Sequence, residues 1–189
     1  MKKGKLIVIS APSGCGKSTI IKSIIDDERL KLGFSISATS RKPREGEQHG
    51  VHYYFISDEE FLRLISDDKF VEWEEVYAGT HYGTLVSEVE RVTSEGRNLI
   101  LDIDVKGGVN VKERFGSEVL SLFIMPPSID ELGRRLRGRA TDTEEVIVKR
   151  LAKAEYEIGF ADKYDKVIVN DELSVAVEDV RVAILDFVK

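Results

Sequence analysis

Apolar positions along this chain come in two alternating textures. Residues 6–9 form an unbroken apolar run, the pattern of a strand buried on both faces, and residues 19–26 then take up helical spacing. The pattern predicts a strand near 5–10 and a helix near 17–27. The rhythm returns later: 98–103 and 119–125 read as buried strands, 166–169 as a short last strand, and 85–95, 109–114, 128–137, 143–158 and 173–188 as helices. Between 34 and 86 the texture changes. Runs beginning at Phe34, Val51 and Phe70 alternate apolar with polar positions, as half-buried strands do, and Ser57-Asp58-Glu59-Glu60 carries a helix-capping signature. Strands alternating with helices predict an α/β chain with a parallel sheet covered on both faces, and 34–86 an inserted lobe.

The turn after the first strand, Ser10-Ala-Pro-Ser-Gly-Cys-Gly-Lys-Ser-Thr19, leads straight into a helix start. Backbone N–H groups there point at a bound anion, a lysine reaches the outer phosphates and a hydroxyl holds Mg²⁺. Residues Ala11, Pro12, Ser13, Gly14, Cys15, Gly16, Lys17, Ser18 and Thr19 are therefore the expected ATP-binding loop, with Ser18 at the metal. Ala11 departs from the general G-x-x-x-x-G-K-[ST] pattern, which an alanine tolerates if its φ stays below zero.

The chain has 189 residues, 42% hydrophobic and 33% charged, with 4 prolines, which bounds it to one globular domain with inserted lobes and excludes a disordered profile. Apolar runs are far shorter than the roughly 20 residues that span a bilayer. No cleavage-like site follows the N-terminal lysines, and a cytoplasmic location is expected. The net charge of −6 argues against long nucleic acids and anionic membranes as partners. Arginines nevertheless cluster at 41–44 and 134–139, which suits a small, highly charged anion. Cys15 is the single cysteine, so no internal disulfide and no cysteine-based zinc site can form. Near a helix N-terminus its thiolate is favoured, so alkylation is expected to inactivate the protein; the alternative is a small loop residue with no chemistry. His49, His52 and His81 are not spaced as a metal site.

Further signatures follow in order: Ser37-Ala-Thr-Ser-Arg-Lys-Pro-Arg-Glu-Gly-Glu, His52-Tyr-Tyr-Phe, Phe70-Val-Glu-Trp, Tyr82-Gly-Thr, Leu101-Asp-Ile-Asp, Arg135-Leu-Arg-Gly-Arg and Val167-Ile-Val-Asn-Asp. With the loop, these make a chain that resembles the guanylate kinase family over nearly its whole length. The resemblance implies a three-layer P-loop NTPase fold with a central parallel sheet, a mixed α/β GMP-binding lobe at 34–86, a helical lid at 127–154, and a core from 1–33, 87–126 and 155–189. It implies transfer of the ATP γ-phosphoryl group to GMP by direct in-line displacement, with Mg²⁺ as cofactor, in purine nucleotide metabolism. It also admits dGMP as a second acceptor and a homodimer as the assembly.

The residues support those roles to different degrees. Arg41 and Arg44 can offer guanidinium forks to one phosphate, and Tyr53 and Tyr82 add hydroxyls; the resemblance implies that all four hold the GMP phosphate. Glu72, between Val71 and Trp73, reads as a carboxylate in want of donors, and guanine supplies N1–H and N2–H₂ side by side. Its alternative is an edge-strand glutamate facing water. Ser37 and Thr84 match further base contacts. Asp102 and Asp104 end a buried strand where a parallel sheet places its ligand crevice, with helix capping the alternative for Asp104. The resemblance places both at the acceptor, and Asp102 beside the magnesium. It places Arg135 and Arg139 in the lid over the ATP phosphates, joined by Arg150, and Asn170 near adenine. Lys17, Arg41, Asp102, Arg139 and Arg150 are the expected catalytic set. Lys106 stands where the family usually has glutamine. Two rivals remain at this point: a phosphopeptide-binding module built on the same pocket, and a kinase of another nucleoside monophosphate.

Overall fold

The computed structural model describes residues 3–77, 79–138 and 142–189. Among these, seven α-helices and nine strands follow an α/β order. The strands are β1 (Leu6–Ser10), β2 (Leu32–Phe34), β3 (Ala38–Thr39), β4 (Tyr54–Phe55), β5 (Phe70–Tyr77), β6 (Thr80–Leu85), β7 (Asn98–Asp102), β8 (Val119–Met125) and β9 (Lys166–Val169). The helices are α1 (Lys17–Ile24), α2 (Asp58–Ser66), α3 (Val86–Ser94), α4 (Val105–Phe115), α5 (Ile129–Gly138), α6 (Glu144–Ile158) and α7 (Leu173–Val188). The central sheet has the order β2-β7-β1-β8-β9, and a second sheet has the order β4-β3-β6-β5. No helix is long and apolar enough to cross a membrane among the described residues.

The chain divides into two compact units, 1–6 with 33–100 and 7–32 with 101–189. In the second unit β8 runs parallel to β9, from Leu122 opposite Lys166 to Met125 opposite Val169. Leu122, Phe123 and Ile124 are fully buried, which is why the apolar run at 119–125 has no polar alternation. In the first unit β3 is parallel to β4 and antiparallel to β6, and β6 is antiparallel to β5, so this sheet is mixed. Its core is Ala38, Phe61 and Phe70, with Phe61 stacked on Phe70 at 4.4 Å between ring centres. The Ser57 hydroxyl accepts the Glu60 N–H at 3.1 Å and starts α2, as the capping signature predicts.

Several elements differ from the sequence pattern: α1 ends at Ile24, short of 27, the run from Phe34 is split between the end of β2 and the start of β3, and only Tyr54–Phe55 of the run from Val51 is strand. Helix α4 begins at Val105, a full turn before 109, because Asp104 caps it: its Oδ1 accepts the Gly107 N–H at 2.7 Å. Strand β7 accordingly stops at Asp102, short of 103. Strand β6 has no clear alternation and carries Gly83, whose backbone lies so close to β5 that a Cβ would sit 2.7 Å from the Glu72 carbonyl oxygen and 2.8 Å from the Phe70 ring.

Candidate functional site

In the unit built on 7–32 and 101–189, β1 ends at Ser10 and α1 starts at Lys17, so the intervening loop presents a helix N-terminus. Gly14 and Gly16 take φ of 94° and 89°, a left-handed conformation that a side chain resists. Ala11 is not among the positive-φ residues, which are Lys31 and Asp68 apart from glycines, so its methyl group carries no backbone strain. The whole loop, Ala11 through Thr19, lines a cavity of about 490 Å³ together with Asp102, Ile103, Asp104, Lys153 and Glu157.

Lys17 is aimed at that cavity from the first turn of α1. Its Nζ stands 2.5 Å from an Asp102 carboxylate oxygen and donates to the Ile103 carbonyl at 3.2 Å, which leaves one of its three N–H groups for another acceptor. The capping role of Asp104 realises the alternative raised for it, while its carbonyl accepts the Ser10 hydroxyl at 3.1 Å. Glu157, reaching in from α6, has a side chain only 8% exposed; Lys153 lies 3.5 Å from its Oε1, and its Oε2 is buried with no hydrogen-bond partner. The donor set around this cavity is thus oxygen-rich, with the Ser18 hydroxyl exposed at the helix start. No group of three histidine, cysteine or acidic side chains can hold a metal by itself among the described residues. That combination fits Mg²⁺, which keeps several waters and takes one or two protein oxygens beside substrate phosphates.

A second cavity of about 180 Å³ shares part of the loop and is lined by Gly14, Cys15, Gly16, Thr19, Arg135, Asn170, Asp171 and Leu173. Asn170 is 5% exposed, and its side-chain amide donates to the Cys15 carbonyl at 2.8 Å. It thereby braces the glycine turn: a Cβ on Gly16 would lie 2.5 Å from the Asn170 nitrogen. Arg135 donates to the Asn170 and Asp171 carbonyls at 2.6 and 2.9 Å and to Glu131 at 2.7 Å. Hydrogen bonds from Arg134, then Arg135, hold the Glu131 carboxyl down at about 2. Arg134 and Arg137 are exposed in ion pairs with Glu131 and Glu144, as expected of solvated positions. Arg150 pairs with Asp142 at 2.6 Å, and Arg139 lies outside the described residues. Lys106 packs over the Tyr156 ring at 5.4 Å. Cys15 is 1% exposed, and burial slows any reagent that would alkylate it, which suits the small loop residue of the alternative.

The unit built on 33–100 gathers the other candidates. Arg41 follows β3 and is clamped in its own plane: Nε donates to the Tyr82 hydroxyl at 3.0 Å, Nη1 and Nη2 donate to the two Glu47 oxygens at 2.6 and 2.7 Å, and Nη1 also reaches the Lys42 carbonyl at 2.8 Å. The Tyr53 and Phe55 rings lie 5.2 and 5.5 Å from its guanidinium carbon. Tyr53 and Tyr82 meet edge to face at 5.9 Å, and the Arg44 side chain is exposed nearby in sequence. Glu72 and Thr84 are direct cross-strand partners on β5 and β6, while the carbonyl of half-buried Ser37 accepts the Tyr54 N–H at 2.9 Å. Glu72 is not sealed: β5 is an end strand, Glu72 is partly exposed and Trp73 beside it is 47% exposed. Water therefore reaches this side chain despite its apolar neighbours.

The three histidines serve the lobe. His81 pairs with Asp58 at 2.9 Å, and the ring nitrogens of His52 and His49 accept backbone N–H groups at 3.0 and 3.1 Å. Glu47 and Glu88 have no role assigned from sequence. Glu88 is 3% exposed and accepts from the Ile36 N–H at 2.8 Å, the Tyr54 hydroxyl at 2.9 Å and two Arg91 nitrogens at 2.9 Å. The signal available for it was weak, since its i,i+3 spacing to Arg91 reads as a surface pair on α3.

Comparison with known proteins gives one answer throughout. Residues 3–186 match the family described as guanylate kinase. The chain is 56% identical over 174 residues to a guanylate kinase of Bacteroides fragilis, covering 92% of this chain and 85% of the relative. It is 54% identical over 184 residues to a guanylate kinase of Porphyromonas gingivalis, covering 97% and 98%. A crystal structure of guanylate kinase from Anaplasma phagocytophilum is similar with a TM-score of 0.66 at 32% identity, covering 96% of this chain and 85% of that one.

Proposed function

Given that the chain belongs to the guanylate kinase family and phosphorylates GMP with ATP, we propose a division of labour between its two arrays of residues. Residues 11–19 take the ATP phosphates, and Arg41, Arg44, Tyr53 and Tyr82 take the GMP phosphate. The observation that carries this reading is Lys17: a lysine at a helix start, held over an oxygen-lined cavity and keeping one N–H in hand. Phosphoryl transfer through a loose transition state asks for alignment and charge neutralisation more than for covalent chemistry. Lys17 meets the developing charge on the donor side, and Arg41 fixes the acceptor oxygen for in-line attack. The Ser18 hydroxyl and the Asp102 carboxylate are the protein oxygens that would hold magnesium, directly or through water, and the ion would supply neutralisation of the phosphate charge.

Glu72 and Thr84, side by side across two strands, suit the N1–H, N2–H₂ edge of guanine, and Ser37 completes the base site. Asp102 and Asp104 are assigned to the acceptor as well. Arg135, already fixed beside the glycine turn, and Arg150 are the lid cations, with Arg139 completing the set; Asn170 acts on ATP through the loop it braces. The lid is assigned to 127–154 and the acceptor lobe to 34–86. No residue is assigned to read the ribose 2′-hydroxyl, so dGMP is a second acceptor. The acidic composition supports a cytoplasmic enzyme acting on free nucleotides. An ADP-release assay with GMP, dGMP, AMP, CMP and UMP tests the reading. Turnover confined to the two guanine nucleotides supports it, and equal turnover of AMP and GMP refutes the base site.

A further inference from the structure

Within the acceptor lobe, Glu47 holds a carboxylate to which the proposed chemistry gives no part. Its two oxygens fill the end of the Arg41 guanidinium at 2.6 and 2.7 Å, and one of them also accepts the Arg44 backbone N–H at 2.7 Å. We propose that Glu47 is a positioning residue for the acceptor phosphate: it occupies the end of Arg41 and thereby presents the guanidinium's side edge, next to the Tyr82 hydroxyl, as the phosphate cradle. The proposal rests on the assignment of Arg41 and Tyr82 to the GMP phosphate.

A guanidinium has five N–H groups in one rigid plane. In Arg41 two go to Glu47, one to the Lys42 carbonyl and one, on Nε, to Tyr82. The remaining hydrogen is on Nη2 and lies along the same edge as Nε–H. Tyr82 accepts from Nε, so its own O–H is left to donate. Two donors therefore stand side by side on one edge, a spacing that suits two oxygens of a phosphate. The Tyr53 and Phe55 rings near the guanidinium hinder rotation out of this plane.

The same carboxylate does a second thing. By accepting the Arg44 N–H it sets the turn that carries the second arginine, and its charge offsets the repulsion between two guanidinium groups three residues apart. Hydrogen bonds from Arg41, then from the Arg44 backbone, hold its carboxyl down at about 2, so the negative charge persists at any working pH. A Glu47 that merely competed with phosphate for Arg41 predicts the opposite sign: removing its charge tightens GMP.

Calorimetric titration of GMP, guanosine and ATP into the whole protein separates these cases, using wild type and the near-isosteric Glu47→Gln. Wild type is expected to bind GMP more tightly than guanosine. Glu47→Gln is expected to weaken GMP by at least about tenfold, the scale of a lost charge-assisted hydrogen bond, with guanosine and ATP unchanged. GMP binding equal to or tighter than wild type overturns the proposal, and so does an equal loss for GMP and guanosine, which marks a merely structural role. If wild type itself does not distinguish GMP from guanosine, the assignment of the acceptor phosphate fails and the Glu47 proposal falls with it.

Discussion

Replacing Glu88 by glutamine removes one charge and changes almost nothing in shape, so the four hydrogen bonds at this side chain set the cost. Oε2 receives the Ile36 N–H and Arg91 Nη2, and Oε1 receives the Tyr54 hydroxyl and Arg91 Nε. The amide NH₂ must take one of these places. Opposite Ile36 it meets a fixed donor, whereas opposite Tyr54 it meets a hydroxyl that can rotate and accept. The second arrangement costs least, and in it Arg91 loses one charge-assisted bond. Arg91 is 43% exposed and rehydrates, which keeps the expected loss to about 2–3 kcal/mol. For a chain of this size that lowers the melting temperature by about 4–12 °C. Glu88→Ala also strands the Ile36 N–H and opens a void, raising the loss to about 3–5 kcal/mol.

The pH dependence supplies an independent check. Burial pushes the Glu88 carboxyl up, but the hydrogen bonds from Arg91, Ile36 and Tyr54 together outweigh it and leave it below its ordinary 4.5. A lowered folded-state value contributes stability that is complete above the unfolded value and is lost as pH falls through the folded one. Thermal or urea unfolding of wild type and Glu88→Gln from pH 7 to pH 3 is expected to show a gap at neutral pH that narrows below about pH 4.5. A glutamine variant as stable as wild type at pH 7, or a gap that stays constant across the series, refutes this account of Glu88.

Further outcomes are expected at three positions. Glu72→Gln leaves one donor facing guanine's donors and raises KM for GMP by about tenfold or more while ATP is little affected; equal losses for both nucleotides in steady-state assays make the residue structural. Asn170→Ala removes the side-chain donor to the Cys15 carbonyl and loosens the loop at a cost of about 1 kcal/mol, seen as weaker ATP binding by calorimetry with GMP binding retained; unchanged ATP affinity contradicts the bracing role. Gly83→Ala drives a Cβ into the Glu72 carbonyl and the Phe70 ring and destabilises by about 1–3 kcal/mol in urea unfolding, with KM for GMP raised; an unchanged midpoint shows that β5 yields without cost.

What sequence could announce depended on whether the cause lay nearby in the chain. The turn from β1 into α1 was legible because strand, glycines, lysine and hydroxyl are contiguous, and β8 because burial on both faces leaves an unbroken apolar run. Strand β6 was not, since Gly83 is there for a backbone approach that exists only once β5 is in place. The first turn of α4 was hidden because Asp104 looks like the end of a strand until its carboxylate is seen to accept the Gly107 N–H. The arginine and tyrosine positions of the unit built on 33–100 were readable as residue types. Their partners were not, because whether Arg41 turns to Glu47 or to water is decided by side-chain geometry. Glu157 and Lys153, four apart on α6, read as an ordinary surface pair, and only packing reveals that the glutamate is buried.

The bond from Asn170 to the Cys15 carbonyl joins residues 155 positions apart. Closing so long a loop is entropically costly and cannot happen before the later partner exists. During synthesis the turn at 11–16 leaves the ribosome well ahead of its brace at Asn170. A nascent or truncated chain therefore carries the whole phosphate motif without the support that holds it in shape. Nucleotide, which stabilises only what it can bind, then favours a chain that has its brace over one that lacks it.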